Sequence, residues 1–280
     1  MSRGLTRSLL QTLAVVAAFL ALACGNDASQ PDPSPIAGRA PVLSGKITVF
    51  AAASLADAFN EIKTEFVKKN PRAEVEFQFG GSPTLRTQLE QGAKADVYAS
   101  ADQPNMAMAL QAGVIQDAGR VFVKNSLVII TPKSNPGKVT TPADLKKSGL
   151  KLVLAAPAVP AGNYARQSFA SMEKDPAFGA GFADAVQKNV VSNESNVKQV
   201  VVKVQLGEAD AGVVYGTDVT KDVAPDLRQV AIPTQFNVTA EYPIALTKTP
   251  RNPSVAAAFV AFVIGPDGQS ILKKYGFQTS

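Results

Sequence analysis

From Lys46 onward, short apolar runs alternate with segments in which apolar residues recur every three to four positions. The continuous runs predict β-strands, and the periodic segments predict helices that each bury one face. ITVFAAA (47–53) is the first predicted strand. The helix after it carries an apolar stripe formed by Leu55, Ala58, Phe59, Ile62 and Phe66.

The same alternation continues to the end of the chain. Further strands are predicted at 74–79, 95–101, 126–132, 150–157, 210–219 and 240–247. Helices are predicted at 83–91, 103–111, 141–145, after Pro160, within 192–209 and at 253–274, with a break at Gly265-Pro266. Alternating strands and helices predict an α/β fold. We expect two lobes, with crossings of the chain near 121–132 and 236–247.

Several predicted helices start directly after a strand or a polar turn. Ser54 with Asp57 matches a capping box, and Ser82 with Pro83 matches an N-cap followed by proline at the first helical position. In open α/β folds, ligands bind where strand ends meet helix N-termini, and those termini favour anions. Taken alone, each of these serines is better explained as an ordinary helix cap, and Tyr215 as a core tyrosine.

Composition removes several classes of function. The formal net charge is +5 with dispersed Lys and Arg, which does not indicate nucleic-acid binding. The chain has no His and a single Cys, so Ser-His-Asp catalysis and His- or Cys-based zinc sites are excluded. An S-x-x-K pattern, typical of Ser–Lys acyltransferases, occurs without its partner motifs, and chance explains it better. Its occurrences are Ser148/Lys151, Ser171/Lys174, Ser195/Lys198 and Ser270/Lys273.

The N-terminus is typical of an export signal. Residues 1–23 combine Arg3 and Arg7 with a short apolar core, and Cys24 follows directly. A lone Cys at this place indicates a lipoprotein that is acylated on Cys24, although Ala21-x-Ala23 also fits ordinary signal cleavage. The proline-rich residues 24–44 predict an extended tether. We therefore expect a domain held near a membrane, outside the cytoplasm.

Six stretches together resemble the periplasmic molybdate-binding proteins, the substrate-binding components of molybdate ABC transporters. The resemblance runs from Ile47 to Phe277. It rests on VFAAASLADAF (49–59), FGGSPTLRTQLEQGAKADVYASA (79–101), PAGNYA (160–165), ADAGVVYGTD (209–218), YPIAL (242–246) and ILKKYGF (271–277).

The resemblance implies a two-lobe, type II periplasmic binding protein fold with the ligand in the inter-lobe cleft. It implies that Ser54 and Ser82 each offer a hydroxyl and a backbone N–H to the oxyanion. Ala161 and Val197 correspond to backbone N–H donors, and Tyr215 corresponds to a hydroxyl donor. The implied site is free of charged groups, and molybdenum enters it as the oxyanion without a direct protein ligand.

Residues 45–126 plus 243–280 are expected to form lobe I, and residues 127–242 lobe II. The implied function is capture of molybdate or tungstate and delivery to a membrane permease, by a monomer that is not an enzyme and has no cofactor. A receptor for another oxyanion, such as sulfate or phosphate, remains the alternative. A Ser–Lys extracytoplasmic hydrolase is the alternative from a different class.

Overall fold

The computed structural model describes residues 42–279. Its strands are β1 (Ser44–Ala52), β2 (Arg72–Gly80), β3 (Val97–Ala99), β4 (Arg120–Asn125), β5 (Leu127–Pro132), β6 (Leu152–Ala155), β7 (Val190–Glu194), β8 (Ala211–Tyr215), β9 (Leu227–Ala231), β10 (Ala240–Leu246) and β11 (Gln278–Thr279). Its α-helices are α1 (Ala56–Lys69), α2 (Ser82–Glu90), α3 (Gln103–Gln111), α4 (Pro160–Glu173), α5 (Phe182–Lys188), α6 (Val197–Gln205), α7 (Pro253–Ile264) and α8 (Pro266–Lys274).

The strands form two open sheets. The first sheet has the order β11-β4-β10-β3-β1-β2, and the second has the order β7-β6-β8-β5-β9. Strand β1 runs parallel to β2 and β3, and β6 runs parallel to β7 and β8. Parallel neighbours end at the same edge of a sheet, so the segments that follow them come together there.

The chain passes from the first sheet to the second and back again. Strand β4 ends at Asn125 in the first sheet and β5 begins at Leu127 in the second, with only Ser126 between them. The return lies between β9 and β10. The expected lobe boundary at 242–243 falls inside β10, which pairs with β4 from Ala240 onward. The assignment of residues to lobes otherwise stays a prediction.

Helix α1 shows how the apolar pattern produces the core. Ala58, Phe59, Ile62 and Phe66 are buried, as the predicted stripe requires. The Phe59 ring packs against Phe77 of β2 at 5.8 Å between centroids, and Phe66 packs against Phe259 of α7 at 5.4 Å. Burying each such side chain contributes about 1.5–3 kcal/mol, which fixes α1 and α7 on the first sheet.

Two predicted caps are wrong. Ser54 lies inside a 3₁₀ turn, Ala53–Leu55, and neither that turn nor α1 has a side-chain cap. Ser82 is the first residue of α2, and Gly81 is its N-cap. Both serine hydroxyls instead bond to groups far along the chain, Tyr242 and the backbone N–H of Ala101. Tertiary partners therefore replaced the local capping bonds that the spacing suggested.

Other differences concern short elements. The predicted helix within 192–209 is preceded by strand β7 and begins only at Val197. Strand β9 and the seven-residue helix α5 were not predicted. The break at Gly265-Pro266 is confirmed, because α7 ends at Ile264 and α8 begins at Pro266.

Within residues 42–279, no single helix is long and apolar enough to cross a membrane; only α7 and α8 taken together, across a 56° bend, reach that length and apolarity. The predicted signal segment, Cys24 and most of the predicted tether lie outside the described residues.

Candidate functional site

The sequence-predicted site residues come together around one small cavity. Its lining includes all five predicted residues, which lie on segments far apart in the sequence: Ser54, Ser82, Ala161, Val197 and Tyr215. The cavity volume is only about 10 Å³. That is close to the room one water molecule needs, so the cavity suits a compact ligand.

The first sheet contributes the two serines. Ser54 follows β1, is 4% exposed, and has its Oγ 3.0 Å from the hydroxyl of Tyr242. Ser82 follows β2, is 1% exposed, and its Oγ accepts a hydrogen bond from the backbone N–H of Ala101 at 3.0 Å. Each serine oxygen thus faces a tertiary partner on one side and the cavity on the other.

The second sheet contributes two helix starts. Ala161 lies in the first turn of α4, after β6, and Val197 is the first residue of α6, after β7. The side chain of Asn196 caps α6 by accepting from the N–H of Gln199 at 3.2 Å. First-turn N–H groups have no partner inside their own helix, so those of Ala161 and Val197 remain available to a ligand.

Glycines let these segments approach one another. A Cβ atom on Gly81 would collide with the carbonyl oxygen of Ser195, in the turn before α6. A Cβ on Gly162 would collide with the carbonyl oxygens of Ala155 and Ala156 at the end of β6. Gly81, in the GG motif, therefore lets the start of α2 approach the turn before α6. Gly162, in the PAG motif, lets α4 pack closely against the end of β6.

Tyr215 closes the cavity at the end of β8. It is 1% exposed, and within the described residues its hydroxyl has no hydrogen-bond partner. Its ring meets that of Tyr242 edge-on at 5.8 Å between centroids. Burial raises the pKa of Tyr215 well above its ordinary value, so the hydroxyl stays protonated and can donate. A buried hydroxyl without a partner is rare, and this one is free to donate to a group in the cavity.

Charged groups stay outside the cavity but close to it. Among the described residues that line it there is no Asp, Glu, Lys or Arg. Lys198, next to Val197, lies 2.6 Å from Asp57 of α1 and 3.6 Å from the fully buried Asp218. Burial raises the pKa of Asp218 to about 6, although the neighbouring Lys198 acts in the opposite direction. The Asp57–Lys198 pair links a helix of the first sheet to a helix of the second.

Sequence reasoning did not identify the residues behind the cavity. Tyr242 lies in the YPIAL motif and Asp218 in VVYGTD, but nothing in either motif marks a contact with residue 54 or 198. Asn125 and Thr217, whose side chains bond to each other at 2.7 Å, carry no local signal either. These contacts join residues far apart in sequence, so only the tertiary structure reveals them.

Chemically, the cavity offers hydrogen-bond donors and no charge. Three hydroxyls and the N–H groups of first-turn residues point to one compact volume, where helix N-termini add partial positive charge. Such a set suits a small anion that only accepts hydrogen bonds. The individual assignment of Ser54, Ser82, Ala161, Val197 and Tyr215 as ligand contacts stays a prediction.

Comparison with known proteins shows where the chain belongs. The family model described as bacterial extracellular solute-binding protein matches residues 47–278. "Molybdate-binding protein ModA" of Mycobacterium tuberculosis (strain ATCC 25618 / H37Rv) is 37% identical over 275 residues, which cover 98% of this chain and 97% of the relative.

Two solved structures are similar at lower identity and therefore bear on the fold alone. The periplasmic molybdate-binding protein of Azotobacter vinelandii has a TM-score of 0.72 and 20% identity, covering 84% of this chain and 99% of its own. The sulfate-binding protein SubI of Mycobacterium tuberculosis H37Rv has a TM-score of 0.74 and 17% identity, covering 84% and 86%.

These likenesses confirm the predicted α/β, two-lobe periplasmic binding protein fold. The family match spans most of the chain, and the 37% identity extends over nearly its whole length. The chain therefore belongs to the bacterial extracellular solute-binding proteins, and its resemblance to the periplasmic molybdate-binding proteins is confirmed.

Proposed function

We propose that this protein acts outside the cytoplasm, where it binds molybdate in the cavity and delivers it to the permease of an ABC transporter. The observation that carries the proposal is the convergence of Ser54, Ser82, Ala161, Val197 and Tyr215 on one uncharged cavity. The 37% identity to a protein named for molybdate binding supports the choice of anion. The fold does not distinguish molybdate from sulfate, since structures named for either anion match about equally well.

Neutral donors explain how a doubly charged oxyanion can bind without a charged partner. Each hydrogen bond to an ionised acceptor contributes about 1.5–3 kcal/mol, and several act together here. Burying a Lys or Arg beside the anion would add a large desolvation cost. The hydroxyls of Ser54, Ser82 and Tyr215, joined by first-turn N–H groups, avoid that cost while they satisfy the oxygens on several sides.

The donor set also accounts for selectivity. An anion that keeps a proton at neutral pH, such as hydrogen phosphate, would place that proton against a donor and lose affinity. Sulfate carries the same charge as molybdate but is smaller, so the fixed donors reach it less well. Tungstate has nearly the size and charge of molybdate, and we expect it to bind equally.

The surroundings of the serines support transport rather than catalysis. Within the described residues, the recorded hydrogen-bond partners of the Ser54 and Ser82 hydroxyls are Tyr242 and the N–H of Ala101. The Ala101 N–H is not basic, and burial raises the pKa of Tyr242, so its hydroxyl stays protonated and cannot serve as the base that an activated serine needs. In the S-x-x-K pair nearest the cavity, Ser195 bonds to Gln199 and Lys198 to Asp57. A Ser–Lys hydrolase is therefore not our choice.

Delivery to a membrane permease agrees with the predicted N-terminus. Acylation of Cys24 would anchor the protein, and residues 24–44 would act as the tether of a monomeric binding domain. Replacing Cys24 by Ser tests the anchor: the protein is expected to move from the membrane fraction to the soluble fraction. Retention in the membrane fraction would contradict acylation at Cys24 and leave the proposal on the anion intact.

A ligand series tests the proposed function. We expect molybdate and tungstate at micromolar concentration to raise the melting temperature, and sulfate and phosphate to leave it nearly unchanged. Stabilisation follows from binding to the folded state alone, and a ligand at about 100 times its Kd contributes about 2.7 kcal/mol. Calorimetric titration of residues 42–280 gives the affinity. A flat response to molybdate, or a stronger one to sulfate, would overturn the proposal.

A further inference from the structure

The hydroxyl of Tyr242 lies directly behind Ser54. Tyr242 belongs to β10 and is fully buried, with its oxygen 3.0 Å from Ser54 Oγ. A buried phenol needs an acceptor for its proton. Within residues 42–279, Ser54 Oγ is the acceptor recorded within hydrogen-bond distance of that hydroxyl. By geometry either oxygen could donate, and the phenol's need for an acceptor favours donation by Tyr242 to Ser54 Oγ.

Asn125 favours the same direction for this bond. The N–H of Ser126 donates to Asn125 Oδ1 at 2.9 Å, which fixes the orientation of the side-chain amide. Its Nδ2 group then points to Thr217 Oγ1 at 2.7 Å and to the Tyr242 oxygen at 3.5 Å. Because that amide nitrogen only donates, the Tyr242 oxygen faces a donor, and its own proton is left for Ser54.

We propose that Tyr242 is a positioning residue that turns the hydroxyl of Ser54 into a donor toward the bound anion. With one lone pair of Ser54 Oγ occupied by Tyr242, the serine's own proton is directed to the cavity. The inference rests on the proposed function, because it assigns Tyr242 a role in oxyanion binding.

Ser82 reaches the same state by another route. The backbone N–H of Ala101 can only donate, and it donates to Ser82 Oγ at 3.0 Å. Both serine oxygens are therefore engaged by a donor behind them, and both protons remain free for the ligand. The site then presents donors on both serines, which a fully deprotonated oxyanion satisfies and a protonated one does not.

The rings around Tyr242 allow its hydroxyl to be removed cleanly. The ring packs edge-on against Tyr215 at 5.8 Å and against Phe277 at 5.7 Å between centroids. Tyr242→Phe keeps both contacts and deletes only the donor to Ser54. Tyr275→Phe is the control: it also removes a tyrosine hydroxyl, but that hydroxyl bonds to Glu61 at 2.9 Å, away from the cavity.

A double-mutant cycle with molybdate tests the inference, with Kd measured by calorimetry. Tyr242→Phe is expected to weaken binding by about tenfold in the wild-type background. In a Ser54→Ala background the same change is expected to have less than about a twofold effect, because the hydroxyl it acts on is gone. In a Ser82→Ala background, Tyr242→Phe is again expected to weaken molybdate binding by about tenfold. Tyr275→Phe is expected to leave Kd within about twofold.

The outcomes separate this inference from the proposed function. If the wild-type protein does not bind molybdate, the proposed function fails first. If the wild-type protein binds and Tyr242→Phe is equally harmful with and without Ser54, Tyr242 acts on packing and the inference is wrong. An unchanged affinity in Tyr242→Phe overturns it as well. Thermal unfolding of each variant without ligand shows that the compared proteins are folded.

Discussion

At the scale of single residues, the clearest feature of the site is a buried tyrosine hydroxyl that has no hydrogen-bond partner among the described residues. Tyr215 is buried with no partner for its hydroxyl among the described residues, whereas the equally buried Tyr98 and Tyr242 have partners. An unsatisfied buried hydroxyl costs about 1–3 kcal/mol in the free protein. The proposed function therefore assigns Tyr215 a contribution to binding at the expense of stability, as is common for functional residues.

The first prediction concerns this hydroxyl. Tyr215→Phe is expected to weaken molybdate binding by about tenfold to a hundredfold, because one hydrogen bond to an ionised acceptor is lost. Without ligand, the melting temperature is expected to stay equal or rise, since the buried group without a partner is removed. Calorimetry and thermal unfolding measure the two effects.

Tyr275→Phe is the control for this pair of measurements. Its hydroxyl bonds to Glu61 at 2.9 Å, away from the cavity, so affinity should not change. A clear loss of ligand-free stability in Tyr215→Phe, together with unchanged affinity, would show that the hydroxyl has a structural partner and no ligand.

At the scale of elements, the site depends on close approach between the starts of α2 and α6. Gly81 precedes α2, and Ser195 lies in the turn before α6. The carbonyl oxygen of Ser195 is so close to Gly81 that a Cβ atom there would collide with it. The contact joins a segment of the first sheet to one of the second. The proposed binding mode uses both segments, so we expect their distance to govern affinity more than the stability of either element does.

Gly81→Ala tests this contact. The added methyl group is expected to force the two segments apart and to weaken molybdate binding by roughly tenfold, since overpacking typically costs about 1–3 kcal/mol. The ligand-free melting temperature should change little, because opening at the crossings relieves the clash. Calorimetric Kd and thermal unfolding are the measurements.

Gly80→Ala provides the neighbouring control. A Cβ at residue 80 would lie 3.3 Å from the Leu85 side chain, a tight contact but not a collision with backbone. Its Kd should remain within about threefold of wild type. Equal effects of both substitutions would show that the loss does not come from the contact with Ser195.

At the scale of the whole molecule, an ion pair supports the approach of the two sheets. Lys198 and Asp57 are 2.6 Å apart with side chains 27% and 42% exposed, and they connect α6 to α1. Partly exposed pairs contribute about 0.2–1 kcal/mol and are weakened by salt. This pair therefore slightly favours the observed arrangement, in which all five predicted contacts surround the cavity.

Asp57→Asn is expected to weaken molybdate binding by about two- to fivefold at low salt, because it removes a contact between the two sheets' helices. The difference from wild type should shrink at roughly 0.5 M salt, where charges are screened beyond a few ångströms. Calorimetric titration at both salt concentrations measures it.

The control is Asp267→Asn, which breaks a pair of the same length within the first sheet's helices, Lys69 and Asp267 at 2.6 Å. Its affinity should stay at the wild-type value at both salt concentrations. If Asp267→Asn loses as much affinity as Asp57→Asn does, the Lys198–Asp57 pair has no special role in holding α6 near α1.

Predictions from local pattern were best where burial is periodic and strong. The stripe of α1, the bounds of α3 and the break after Ile264 follow from apolar spacing, glycine and proline. Strands β7 and β9 were missed because they lie at the edges of the second sheet, with half or more of their residues partly exposed. Helix α5 has only seven residues, too few for a clear period.

The sequence by itself determined the α/β class, the two series of strands and helices, and the family, because these depend on periodicity and ordered motifs. It also named the residues that surround the cavity, through the resemblance. The partners of those residues were decided only by the tertiary structure. Ser54 bonds to Tyr242, Ser82 to Ala101, and Lys198 to Asp57. Such bonds depend on distances in space between distant segments, and capping patterns within a few residues cannot encode them.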